Sequence, residues 1–310
     1  MLKPHRLEQG DTIAIVVPSG PVDQERLVTG TAFLRAAGFE VVWGKNVCRR
    51  SGYLAGTDAE RAADLAWAFS DPGIDAIVCA RGGYGASRLL DMLDYGAIAR
   101  SGKAFTGFSD ITGFHLAIGR HAGLVTFHGP GAEMYPGDPP PAWNTDLFLR
   151  ALTERTPLGE IRNPPGAPPV RTVVPGVATG RTAGGNLSLM AATLGTRYEI
   201  DTSGAVLLVE DVGEKPYRID RMLAHMKMAG KLESIAGVVV GECVGCGPDP
   251  GRPSFTLDEV IEDYFGRAGK PVISGLAFGH GKYRATIPLG VVATLDAGSG
   301  CLIVEEEATI

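Results

Sequence analysis

Short apolar runs and amphipathic stretches alternate along the first third of the chain. "TIAIVV" (12–17), "EVVW" (40–43), "DAIVCA" (75–80) and "KAFTG" (103–107) have the length and composition of strands, and the stretches 22–37, 58–69 and 86–92 between them carry apolar residues at helical spacing. Strand and helix in strict turn predict a parallel sheet with crossover helices. Ala36, Ala37 and Gly38 close the first helix with a glycine stop, and Thr57 opens the second as an N-cap before Asp58.

Further on the pattern changes. "YPGDPPPAW" (135–143) and "NPPGAPP" (163–169) cannot continue a helix or a central strand. The second is the predicted linker between an N-terminal α/β domain, 1–163, and a C-terminal domain, 170–310. Beyond it the pattern predicts a helix over "NLSLMAATLG" (186–195), the strand "AVLLVE" (205–210), a helix over 216–229 and the strand "AGVVVG" (236–241). A helix over 256–265 and the strand "PVISGL" (271–276) follow, and "TIPLGVVATLD" and "CLIVEE", joined at "AGSG", read as a closing hairpin. The second domain is therefore expected to be α/β with a partly antiparallel sheet.

Composition narrows the function. At 310 residues, 45% hydrophobic and 21% charged, the chain suits two globular domains. Its net charge is −6 and no block of Lys and Arg could follow a phosphate backbone, so nucleic acid is not an expected partner. The six-residue apolar run near the N-terminus is too short for a signal or a membrane span, which predicts a soluble cytoplasmic protein with no membrane partner. Five cysteines, an odd number spread over a large chain, argue for reduced thiols. Cys243 and Cys246 form a C-x-x-C, but no second Cys/His pair stands at ligand spacing and no thioredoxin-type helix follows, so no metal is expected there.

Parallel sheets bind ligands at the carboxyl ends of their strands, where this chain has "PSGP", "RGGYG" and "GFSD". In "TGFSDITG", Ser109 sits between a strand and a helix start, with Gly107 two residues before it. That layout suits a nucleophile elbow, which exposes the serine hydroxyl and aims the next backbone N–H at a developing oxyanion. It departs from G-x-S-x-G because Ile111 takes the second small position, and on pattern alone Ser109 reads first as a helix N-cap. The glycines of "RGGYG" let backbone N–H groups approach a ligand, as an oxyanion donor or a phosphate cradle. The motif lacks the lysine of a P-loop and the spacing of a dinucleotide fingerprint.

A serine nucleophile needs a base, and the base needs an orienting acid. Of the six histidines, His5 lies in an irregular start and His115, His121 and His225 fall in or beside helical patterns. His128 in "TFHGPG" and His280 in "FGHGKY", each in a glycine-flanked loop, remain as candidates. Glu210 and Asp211, which close "AVLLVE", are the candidate acids.

Read in order, "ARGGYG", "GFSDIT", "TFHGP", "GGNLSL", "LLVEDVGEKPYRIDRML" and "FGHGKYRATIPLG" make the chain resemble the LD-carboxypeptidases, the muramoyl-tetrapeptide carboxypeptidase family that includes the microcin C immunity peptidases. The resemblance runs nearly end to end. It implies a catalytic triad of Ser109 as nucleophile, Glu210 as orienting acid and His280 as base, with the backbone N–H groups of Asp110 and Gly83 as oxyanion donors. His128 then takes a supporting place, and Arg81, Tyr84, His128 and Asn186 are the expected substrate-binding residues. The implied activity is release of D-alanine from murein tetrapeptide in peptidoglycan recycling, by a homodimer with no metal or cofactor. Three rivals remain: an immunity-type peptidase acting on a peptidyl nucleotide, for which Trp143 would stack the base; a non-catalytic binder of peptidoglycan fragments; and a nucleotide-dependent enzyme using "RGGYG".

Overall fold

Strands buried on both faces read as continuous apolar runs, and the first sheet of the computed structural model is built of such strands except at its edge strand Glu40–Trp43, which is partly exposed. The structure describes residues 1–133, 140–267 and 269–310, which divide into two compact units. The first unit holds Met1–Thr156, Thr286–Leu289 and Glu307–Ile310, and the second holds Pro157–Ala285 and Gly290–Glu306.

In the first unit β1 (Thr12–Val16) leads through helix α1 (Gln24–Ala36) to β2 (Glu40–Trp43), then through α2 (Asp58–Ser70) to β3 (Ala76–Cys79). Helix α3 (Tyr95–Ser101) precedes β4 (Ala104–Gly107), α4 (Thr112–His121) precedes β5 (Thr126–His128), and α5 (Ala142–Thr153) closes the run. The two predicted signals are in place: Gly38, with φ +94°, follows the C-cap Ala37 of α1, and Thr57 caps α2, where Glu60 completes a capping box; Asp23 also caps α1. The helix expected over 86–92 is instead two 3-10 turns, Ala86–Arg88 and Leu90–Met92. The segment is tethered at both ends of its first turn, since Ala86 N–H is held by Asp110 and Arg88 by Asp58.

The second unit begins with β6 (Gly159–Ile161), β7 (Arg171–Val174), β8 (Val177–Asn186), α6 (Leu187–Thr193), β9 (Ala205–Glu210), α7 (Pro216–Met228), β10 (Gly237–Glu242), α8 (Leu257–Phe265) and β11 (Val272–Gly279). The expected strand "TIPLGVVATLD" is broken at Gly290 into β12 (Ile287–Leu289) and β13 (Val292–Asp296). β12 pairs antiparallel with β5 of the first sheet, while β13 turns through 297–300 into β14 (Cys301–Val304) as the predicted hairpin.

The first sheet runs β12-β5-β4-β3-β1-β2, parallel except for β12. Its order reverses between β1 and β3, where such sheets leave a crevice outside their strand ends. The second sheet runs β6-β14-β13-β8-β9-β10-β11-β7, with parallel strands β8 to β11 at its centre and antiparallel strands on both flanks. The expected α/β architecture with a partly antiparallel second sheet is what the chain adopts. Of the stretch 135–143, residues 135–139 lie outside the described residues, and its end from Ala142 is the first turn of α5.

Candidate active site

The chain leaves β4 through Phe108 in extended conformation and enters a 3-10 turn, Ser109–Ile111, that runs into α4. Ser109 has φ +62°, and among the described residues it is the one non-glycine residue with positive φ. A side chain in that region costs about 1–2 kcal/mol, so surrounding contacts must hold it there. The residues in the N-cap positions of the turn and of α4 are Phe108 and Ile111, and neither cap has a side-chain hydrogen bond, which removes the capping explanation for Ser109. The departure from G-x-S-x-G also finds its reason: the Ile111 side chain lies over Gly107, where a Cβ would stand 2.8 Å from its Cγ2.

The "RGGYG" turn packs on this elbow. A Cβ on Gly82 would stand 2.7 Å from Ser109 Cβ, 3.0 Å from its Oγ and 3.1 Å from the Asp110 backbone nitrogen. Gly83 has φ +116° and lies against Gly20 of "PSGP", whose N–H donates to Gly82 C=O at 3.1 Å. The loops after β1, β3 and β4 therefore converge on the serine. Below them His115, buried in α4, bonds Gly107 C=O through Nε2 at 2.8 Å and Thr126 Oγ1 through Nδ1 at 3.0 Å. Burial lowers its pKa to about 4, so it is a neutral brace for the strand end that carries the elbow.

In the second unit β9 ends in Glu210, which is fully buried, and β11 ends in Gly279 just before His280. His280 Nδ1 and Glu210 Oε2 are 2.6 Å apart. A carboxylate only accepts, so a neutral imidazole in this contact would donate from Nδ1 and present Nε2 as an acceptor. Gly279 is required for this contact: its φ is +98°, and a Cβ there would stand 2.6 Å from Glu210 Oε2. Asn186 caps α6 and donates through Nδ2 to Glu210 Oε1 and Asp211 Oδ1, both at 3.3 Å. Asp211 accepts from Ser188 N–H, Ser188 Oγ and its neighbour's N–H, while burial raises its pKa. Of the two candidate acids, Glu210 is the one that meets a histidine.

Other expected site residues fall as follows. His128 ends β5, buried edge-on to Phe108. Arg81 is paired with the buried Glu133 at 3.3 Å and donates to Pro21 C=O at the same distance. Tyr84 is half exposed and meets Tyr53 edge-to-face at 5.5 Å. His5, His121 and His225 are on the surface. Cys243 and Cys246 are free thiols whose mutual interaction lowers the pKa of Cys246 and raises that of Cys243; Cys246 Sγ donates to Val244 C=O, and among the described residues no group of three or more His, Cys, Asp or Glu is arranged to hold a metal.

The two halves of the chain match the models of the LD-carboxypeptidase N-terminal domain, over residues 13–129, and the LD-carboxypeptidase C-terminal domain, over 179–295. The chain belongs to the LD-carboxypeptidase family. It is 40% identical to a probable murein peptide carboxypeptidase of Bacillus subtilis, over 98% of this chain and 94% of that protein. The crystal structure of a muramoyltetrapeptide carboxypeptidase from Oxalobacter formigenes superposes with TM-score 0.84 at 31% identity, covering 96% of this chain and 100% of that one. The microcin C7 self-immunity protein MccF of Escherichia coli is 27% identical over 97% of this chain and 95% of its own. The family is one of peptidases, and the chemistry of this chain is peptide-bond hydrolysis. Among the described residues no helix is long and apolar enough to cross a membrane.

Proposed function

We propose that this LD-carboxypeptidase family member is a serine peptidase that cleaves the bond to a terminal D-amino acid in murein peptides, releasing D-alanine from the tetrapeptide. The observation that carries the reading is the strained backbone of Ser109 at the carboxyl end of β4, against the Gly82-Gly83 turn. In this reading His280 Nε2 takes the Ser109 proton as Oγ attacks the scissile carbonyl. The oxyanion is met by the N–H groups of Asp110 and Gly83. His280 then returns the proton to the leaving D-alanine nitrogen, and water, deprotonated by the same imidazole, releases the shortened peptide from Ser109. Glu210 holds the Nδ1–H tautomer and stabilises the imidazolium. Arg81 and Tyr84 are the proposed contacts to substrate, and Asn186 and His128 the groups that steady the acid and the elbow.

The murein substrate is supported by the names of the Bacillus subtilis and Oxalobacter formigenes relatives. The immunity-type reading rests on MccF, but Trp143, the aromatic residue expected to stack a nucleotide base, lies in the first turn of α5. A binding module would have no use for a strained serine or a carboxylate-oriented histidine. On the resemblance alone the proposal also carries a homodimer and a cytoplasmic setting, the first of which sedimentation velocity tests. The chemistry is tested by labelling with a fluorophosphonate and mapping the adduct by mass spectrometry. One label in the peptide containing 105–114, absent in Ser109→Ala and slow to form in His280→Ala, is the expected result. An active protein labelled elsewhere would refute the assignment.

A further inference from the structure

Arg61, on α2, is 1% exposed, yet the proposed chemistry gives it no part. Its Nη1 donates to the carbonyls of Pro18 and, at 3.0 Å, Gly85, and its Nη2 is held by Asp58 Oδ1 at 2.5 Å. The Asp110 carboxylate, 2% exposed, touches the same two loops. Its Oδ2 accepts from Ser19 Oγ at 2.5 Å and from Ala86 N–H at 2.8 Å. Gly85 C=O and Ala86 N–H belong to one peptide unit, so a guanidinium grips its oxygen and a carboxylate its N–H. The Pro18-Ser19 segment is gripped in the same way, Arg61 on a carbonyl and Asp110 on the hydroxyl. Gly85 has φ +136°, and a Cβ there would stand 2.6 Å from Arg61 Nη1, so the turn is shaped around the guanidinium.

Two buried opposite charges that meet through a peptide unit polarise it along its dipole, and each loses a hydrogen bond if that unit turns. The unit lies two residues beyond Gly83, and the carboxylate belongs to the residue after Ser109. We propose that Arg61 and Asp110, with Ser19, are positioning residues that fix the oxyanion hole: they set the Gly83 N–H and the Asp110 N–H relative to each other and hold Ser109 in its strained conformation. This rests on the serine-peptidase reading above.

Donors aimed at a charge that develops only in the transition state act on kcat and leave substrate affinity largely alone. The test is steady-state D-alanine release by Arg61→Lys, Asp110→Asn and Ser19→Ala, with circular dichroism and the melting temperature recorded for each. Lysine keeps the charge of Arg61 but not the planar fork that joins Asp58 to the two carbonyls, and asparagine keeps the shape of Asp110 without its charge. The expected result is a kcat lower by about 10- to 100-fold in the first two and by several-fold in Ser19→Ala, with KM within about twofold. Fluorophosphonate labelling of Ser109 should slow in the same order. If Arg61→Lys does not fold, Asp110→Asn and Ser19→Ala carry the test. Folded variants whose kcat stays within twofold of wild type, or whose loss is all in KM, would overturn the inference while Ser109→Ala is still inactive. Turnover by Ser109→Ala would instead overturn the reading beneath it.

Discussion

At the scale of the residue, Ser109 is held where an L side chain is disfavoured, and that strain is separable from its hydroxyl. Ser109→Gly removes both. Its melting temperature should rise, by the equivalent of about 1 kcal/mol, as its turnover disappears, whereas Ser109→Ala loses turnover with no such gain. Equal melting temperatures for the two variants would show that the elbow is unstrained. Gly279 is the mirror case in the second unit. A methyl group there must displace the Glu210 carboxylate or the backbone, so Gly279→Ala should cost about 1–3 kcal/mol of stability and lower kcat at least tenfold. An unchanged kcat and melting temperature in the Gly279→Ala variant would contradict the placement of Glu210 beneath His280.

At the scale of the element, α4 and β4 are joined through His115, whose imidazole stays neutral in the fold to about pH 4. The unfolded chain takes up that proton near pH 6.5 and the native one does not. Stability should therefore fall as pH drops from about 6.5 to 4, by up to roughly 3 kcal/mol, and level off below. Burial of Asp110, Asp211 and Glu242 raises their pKa and works in the opposite sense, so the comparison is with a variant. His115→Gln, which keeps a donor and an acceptor, should flatten that part of the profile in urea titrations between pH 7 and 4. An identical slope in both proteins would refute the assignment.

The elements most legible in the sequence are those whose physics is local. β1, β3, β4, β9 and β10 are apolar runs because both faces are covered, and α2 declares itself through Thr57 before Asp58. β8 was not legible: "VATGRTAGGN" has little strand character, and its Gly184 is there because a Cβ would strike Leu208 C=O on the adjacent β9. Ser109, Glu210 and His280 stand at strand ends that periodicity marks out, although choosing His280 over His128 took the family resemblance. Arg61 was missed, yet it left a trace. It lies in phase with Leu65 and Ala68 on the buried stripe of α2, and a charge on such a stripe needs a partner that only the folded loops supply.

At the scale of the whole molecule, the first unit is not one continuous stretch of chain. β12 covers the edge of β5, Ile310 exchanges hydrogen bonds with Pro4 and Arg6, and Thr309 bonds Glu154 C=O. A fragment of residues 1–156 would leave β5 as an open edge, and it should aggregate or remain unfolded by light scattering and circular dichroism. A monomeric, cooperatively folded fragment would contradict this account of the unit.

The most direct test of the central claim is D-alanine release from L-Ala-γ-D-Glu-meso-diaminopimelate-D-Ala by the intact protein and by Ser109→Ala of verified fold. The account predicts release by the wild type and a loss of several orders of magnitude in kcat for the variant, leaving about 10³-fold over water from binding and the oxyanion donors. Wild-type-like release by Ser109→Ala, or no release by either protein, would contradict it.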